Sequence, residues 1–205
     1  MRHYFSILFG CMISLSVMGQ SQADTYIKEA QDLIAKKEYK QAQLSLQDAI
    51  NELNRLIGEQ IAESLPDEIN GLKSEGEDNS GTAAMGMFGG GLQISKSYKN
   101  PTKEENEAEL SIIANSPLLS SMSMYLSNPS IMGPDYKSVR IGTQRAILKS
   151  ETDTYDDKTI RVSELQIPLS QTLITITLRG FASEADELAF ANKLDLEKLK
   201  TALGE

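Results

Sequence analysis

Apolar residues along this chain follow two different spacings, with a stretch between them that follows neither. Over 25–63 they recur at three- and four-residue steps: Ile27, Ala30, Leu33 and Ile34, then Tyr39, Ala42, Leu46, Ala49, Ile50, Leu53, Ile57 and Ile61. That is the period of one helix face, and the break at Lys37-Glu38 predicts two helices joined by a turn. Leu65-Pro66 ends the second, because proline disfavours helical backbone at the residue before it. From Leu92 the period shortens to two. Leu92, Ile94, Lys96 and Tyr98 alternate as a strand, and 108–114 supplies the next, across the turn residues 100–106. Strands are also expected over 139–149 and 159–168, joined by 151–158, and over 172–179. The last is the clearest: Ile174, Ile176 and Leu178 lie on one side, Thr175 and Thr177 on the other.

Helix signals interleave with these strands. Ser116-Pro117 reads as an N-cap followed by a first-turn proline, and Leu118, Leu119, Met122, Tyr125 and Leu126 give that helix its buried face. Asn128-Pro129 and Gly133-Pro134 break it off. After Gly180, Ser183-Glu184-Ala185-Asp186 reads as a capping box ahead of Leu188, Ala191 and Leu194. Asp195 caps a final turn with Leu196, Leu199 and Leu203. The expected fold class is α+β: an N-terminal helical hairpin, then an antiparallel sheet of about five strands backed by helices.

The stretch over 64–91 has neither period and reads as a flexible linker. Its first part, 73–81, is polar and acidic; the second, 83–91, is apolar and rich in glycine. No Gly-Lys-Ser/Thr follows Gly91 and a strand comes next, so it is not a phosphate loop, and the dinucleotide fingerprint is absent too. Met87 and Phe88 either enter the core or, with Met85, form an adaptable apolar contact loop, for which Met and Gly are suited.

The first 23 residues read as an export signal. Arg2 and His3 form a basic start, 4–19 is apolar apart from serines, and Ser21 and Ala23 fit the −3 and −1 positions for cleavage before Asp24; cleavage after Gly19 is the second choice. The run is shorter than the roughly 20 residues that span a bilayer. Leu8-Phe9-Gly10-Cys11 resembles a lipobox, but the apolar run continues past Cys11, so membrane attachment is expected only if Cys11 is lipidated. The organisation is therefore 1–23 signal peptide, 24–63 helical hairpin arm, 64–91 linker and 92–205 α+β domain. The location is periplasmic or secreted.

Composition sharpens this. The 205 residues hold one cysteine, one histidine and no tryptophan, and both Cys11 and His3 fall in the export segment. The remainder has no thiol and no imidazole, which excludes Cys/His zinc sites, Cys or His nucleophiles, thiol redox chemistry and intrachain disulfides. Losing Arg2 takes 20 basic residues to 19 against 29 acidic ones, moving the net charge from −9 to −10. Such a chain is a poor partner for nucleic acid.

What chemistry remains is sparse. Glu104, Glu105, Glu107 and Glu109 are the densest carboxylates, but they sit in and after a turn, where acids are solvated. Asp153, Asp156 and Asp157 could face a calcium ion, yet they lack the EF-hand spacing and suit a strand-connecting turn. Arg140, Arg145, Arg161 and Arg179 lie on adjacent strands and, on one face, would bind a carboxylate or phosphate; pairing with acids on the solvent side is the plainer reading. Ser116, Ser120 and Ser121 have no activating base.

Two resemblances add to this. Tyr26, Ala30, Leu33, Tyr39, Ala42, Leu46, Ala49 and Ile50 resemble one tetratricopeptide-type hairpin, in which these positions are where two antiparallel helices touch. Lys37 stands where that repeat has glycine, and Asn54 where it has proline. A lone hairpin cannot bury its apolar face alone. The run from Tyr136-Lys137-Ser138-Val139-Arg140-Ile141-Gly142 through 173–180 to Asp195-Leu196-Glu197-Lys198-Leu199 resembles small exported bacterial domains of undefined function, and its layout is similar to the PsbP-like sandwich. The resemblance implies an accessory or binding role. The expected function is a non-enzymatic accessory or protein-binding module without cofactor or metal. Its partner is an envelope protein or a second copy, met through the arm, with Met85, Met87, Phe88, Tyr39 and Arg140 as contact residues. The alternative is a carrier of a small apolar or anionic ligand between sheet and helices.

Overall fold

The structure, a computed structural model, describes residues 21–75, 92–115 and 133–205. Most of the export segment, the 76–91 stretch with Met85, Met87 and Phe88, and the helix expected from Ser116 lie outside the described residues. The chain forms two compact units, one ending at Ala49 and one running from Ile50 to Glu205.

In the first unit, Ser21 caps α1 (Gln22–Ala35) in a capping box with Asp24. Asp24 N–H donates to Ser21 Oγ at 3.2 Å, and Ser21 N–H donates back to the Asp24 carboxylate at 3.3 Å. The helix stops at Lys37, whose φ of 62° is left-handed. Lys37 N–H bonds Ile34 O and Glu38 N–H bonds Leu33 O, the paired closure that usually employs glycine. A side chain there costs about 1 kcal/mol, so the missing glycine is felt but tolerated. α2 (Tyr39–Ser64) follows, its first 11 residues in this unit and the rest in the second.

The second unit is built on one fully antiparallel sheet: β1 (Glu68–Ile69), β2 (Leu72–Ser74), β3 (Leu92–Lys99), β4 (Glu107–Ala114), β5 (Tyr136–Ile141), β6 (Gln144–Tyr155), β7 (Lys158–Pro168) and β8 (Thr172–Arg179). The strand order is β1-β2-β3-β4-β8-β7-β6-β5. The mixed α+β class is as expected, but the strand count is eight and not about five. Two-residue turns account for the difference. Asn70 and Gly71 both have positive φ and fold β1 onto β2, inside the expected linker. Gly142-Thr143, with positive φ at the glycine alone, cuts the 139–149 strand into β5 and β6. Asp156-Asp157, both at positive φ, replaces the longer connection expected over 151–158. Positive φ at both central residues, or at the first alone, is what matches a tight turn to the twist of its strands.

The sheet register gives its two faces opposite characters. Leu92, Ile94 and Tyr98, Leu110 and Ile112, Ile174, Ile176 and Leu178, Leu165 and Ile167, and Leu148 share one face and form the core. Onto it pack α3 (Glu184–Ala191), α4 (Leu196–Leu203) and the last turns of α2, through Phe190, Leu194, Leu199, Ile61 and Leu65. Phe190 lies edge-on to both Tyr98 and Phe181 at 5.6 and 5.8 Å. Ser183 caps α3 by accepting from Asp186 N–H, though its hydroxyl rather than its backbone N–H bonds the Asp186 carboxylate, and Asp195 caps α4 by accepting from Lys198 N–H, as expected. On the other face, among the described residues, Ile147 and Leu173 beside Tyr136 make a small apolar cluster.

Candidate functional site

Two arrangements stand out from the ordinary packing. The first is on α1 and α2. Ala23, Ala30, Ala42 and Ala49 are buried, with Ser45 beside them, whereas Ile27, Ile34, Tyr39, Leu46, Ile50 and Leu53 of the same helices are open. Ile34 is 48% exposed, Tyr39 64%, Leu46 43%, Ile50 48% and Leu53 45%. The tetratricopeptide-like reading placed Tyr39, Leu46 and Ile50 at a helix contact; small residues occupy the buried positions instead. At about 100° per residue, Tyr39, Leu46, Ile50 and Leu53 fall within roughly 60° of arc along α2, while Leu44 projects from the far side. One turn further on, Ile57 packs against the core of the second unit, so the row that is core at one end of α2 is open at the other.

The second arrangement is a closed ring of polar side chains under α3. Glu187 is fully buried, and its Oε1 accepts from Arg161 Nε at 2.8 Å and from Ser163 Oγ at 2.7 Å. Arg161 also donates to Ser150 Oγ at 2.7 Å, and the two serine hydroxyls lie 2.9 Å apart. Register explains the meeting: Ser150 and Ser163 are direct partners on β6 and β7, on the face that α3 covers. The Glu187 carboxylate beside it raises the Arg161 guanidinium pKa. Among the described residues Glu187 Oε2 has no hydrogen-bond partner. A serine beside a carboxylate suggests nucleophilic chemistry, but Ser163 is itself buried and its hydroxyl is engaged by Glu187 and Ser150. The ring ties α3 to the sheet.

Sequence reading missed Glu187. The signal was present, since it precedes Phe190 by three residues and Ala191 by four, on the buried face of a helix. Among the four arginines, register puts Arg140 directly opposite Arg145, on the face that also carries Arg179, and sends Arg161 to the other. Arg140 is exposed and donates to Thr143 O at 3.3 Å, while Arg145 bonds Ser138 Oγ at 3.0 Å. Arg179 pairs with Glu107 at 3.3 Å and Asp153 at 3.0 Å, the solvent-side pairing of the plainer reading. Thr154 N–H and then Arg179 hold the Asp153 carboxyl below its usual pKa. Asp156 and Asp157 are turn residues, and no group of three or more metal-ligating side chains occurs among the described residues.

Two clefts open on the described surface of the second unit. One of about 640 Å³ lies between α2 and α4, lined by Gln60, Glu63, Asp195, Glu197, Lys198 and Thr201. A smaller one of about 120 Å³ is lined by Ser97, Glu107, Glu109, Thr177 and Arg179. Near the end of α2, Lys96 and Tyr98 bond the carbonyl oxygens of Leu65 and Pro66 at 3.1 and 2.9 Å. Burial, and then the Asp67 charge, push the Tyr98 hydroxyl pKa far up, which keeps it a donor. No described helix is long and apolar enough to cross a membrane. No protein-family model matches the chain, and no curated protein matches it.

Proposed function

We propose that this is an exported, non-enzymatic protein-binding module whose contact element is the helical arm. The observation that carries the reading is the inversion on α1 and α2: alanines are buried and isoleucine, leucine and tyrosine face outward. Large apolar side chains supply most of the free energy of burial, at about 25 cal/mol per Å². A helix pair that closes on alanine leaves that free energy for something else. In this reading α1 and α2 run antiparallel. Right-handed helices then turn Ile27 and Ile34 of α1 to the same side as Tyr39 and Leu46 of α2.

A photo-reactive residue placed at Leu46 or Ile34 in the source cell tests the proposal. Protein adducts are expected from both positions and not from Leu44, on the far side of α2. Absence of adducts from 46 and 34 would reject a contact role for the arm.

Export is part of the proposal, and the helix start refines it. Cleavage before Asp24 would remove Ser21 and the buried Ala23, taking the α1 cap with them, a loss of about 1 kcal/mol for the cap alone. Cleavage after Gly19 keeps both. The intact mass of the mature protein is expected to correspond to a chain starting at Gln20; a mass starting at Asp24 would refute this.

A further inference from the structure

We infer that the open apolar row of α2, with Ile27 and Ile34 of α1 beside it, pairs with the same row of a second copy of this chain. The inference rests on the contact reading above and gives that contact its partner.

Three features select a copy of the chain. The first is spacing. Tyr39, Leu46, Ile50 and Leu53 follow one another at seven, four and three residues. In heptad terms Tyr39, Leu46 and Leu53 occupy d, Ile50 occupies a, and Gln43 takes the other a position. Isoleucine at a with leucine at d favours two helices side by side, and a single polar a residue fixes their register.

Charge is the second. Across a two-fold axis one surface meets itself, so a row flanked by charges of one sign would set like charges against one another. The open or half-open α2 positions flanking the row are Lys40, Gln47 and Asn54 on one side and Leu56 on the other, where Ala42 and Ala49 are buried. One of these four is charged, in a chain of net charge −9. A surface meant for a different protein has no need to be neutral, because opposite charges could then match.

The third is area. Ile27, Ile34, Tyr39, Leu46, Ile50 and Leu53 together expose on the order of 600 Å². A stable interface takes about 800 Å² per partner, and a polar rim supplies the remainder.

Sedimentation velocity on the purified protein tests this. A dimer is expected for the unaltered chain and for Leu44→Glu, and a monomer for the double variant Leu46→Glu, Ile50→Glu, with unchanged helical circular dichroism. A second measurement does not depend on the charged variant folding: a photo-reactive residue at 46 in the purified protein is expected to give covalent dimers, and one at 44 is not. A monomeric unaltered chain, a dimer that survives both glutamates, or no covalent dimer from position 46 would each overturn self-pairing. Cellular adducts of position 46 with a different protein, alongside a monomer in isolation, would overturn self-pairing and leave the contact role of the arm standing.

Discussion

Replacing Gly180 by alanine is expected to destabilise the sheet-bearing unit by about 4 kcal/mol, a loss reserved for a few severe mechanisms. Two of them coincide here. Gly180 ends β8 at a φ of 66°, where a side chain costs about 1 kcal/mol. A Cβ would also lie 2.2 Å from the Glu105 carbonyl oxygen and 2.7 Å from its carbon. That backbone is not free to retreat. Asn106 N–H bonds Lys103 O, Asn106 O accepts from Asn100 N–H, and the Asn106 side chain donates to Arg179 O. Gly180 N–H is itself committed to Arg161 O at 2.9 Å. Gly142→Ala separates the two contributions: its φ is also positive, but nothing lies within 4 Å of the new Cβ, so only about 1 kcal/mol should be lost. Urea denaturation of both variants provides the comparison. Equal losses would show that the close approach to Glu105 does not matter.

Arg161→Ala is expected to cost about 3 kcal/mol, because it leaves the buried Glu187 carboxylate with the Ser163 hydroxyl as its remaining described partner. The cost stays at the low end because the Arg161 side chain is itself 30% exposed. Removing both partners behaves differently. Arg161→Met with Glu187→Leu deletes the charge along with its counterion, and an apolar pair of similar volume is close to neutral or stabilising. The double variant should therefore unfold at higher denaturant than Arg161→Ala alone. If the single substitution is tolerated within measurement error, Glu187 is not an ion held by the ring.

Much of the fold was legible because strand period and cap chemistry are local. β8 was read with its observed bounds, β3 and β4 to within one residue, and Ser183 and Asp195 cap as their sequence suggests. Two-residue turns were not read. Asn70-Gly71 is a strong hairpin signal, hidden by an acidic and glycine-rich setting that resembles a linker. Gly142-Thr143 sits within a continuous apolar alternation, so that one strand and two look alike until the turn is given weight. The α1 and α2 rows failed for a different reason. Periodicity shows which residues share a row, but two neighbouring rows, one of alanines and one of large residues, were both available to face inward. Only the closeness of helix packing decides between them. Of the contact residues expected from sequence, Tyr39 lies in the open row and Arg140 lies apart on the β5–β6 hairpin.

The ends of the sheet bear on how this chain associates. An antiparallel sheet with free margins can grow by recruiting strands from neighbours, which is the usual route to fibrils. Among the described strands, one margin is β1, two residues long, and the other is β5, which carries Lys137 and Arg140. A two-residue strand offers almost no template, and on the other margin the exposed Arg140 sets its charge against that of an incoming copy, while Lys137 is paired with Glu184. Among the described strands, both margins therefore disfavour strand-by-strand growth. Under the self-pairing proposed above, copies would be steered away from open-ended growth and toward helix contacts that close in pairs.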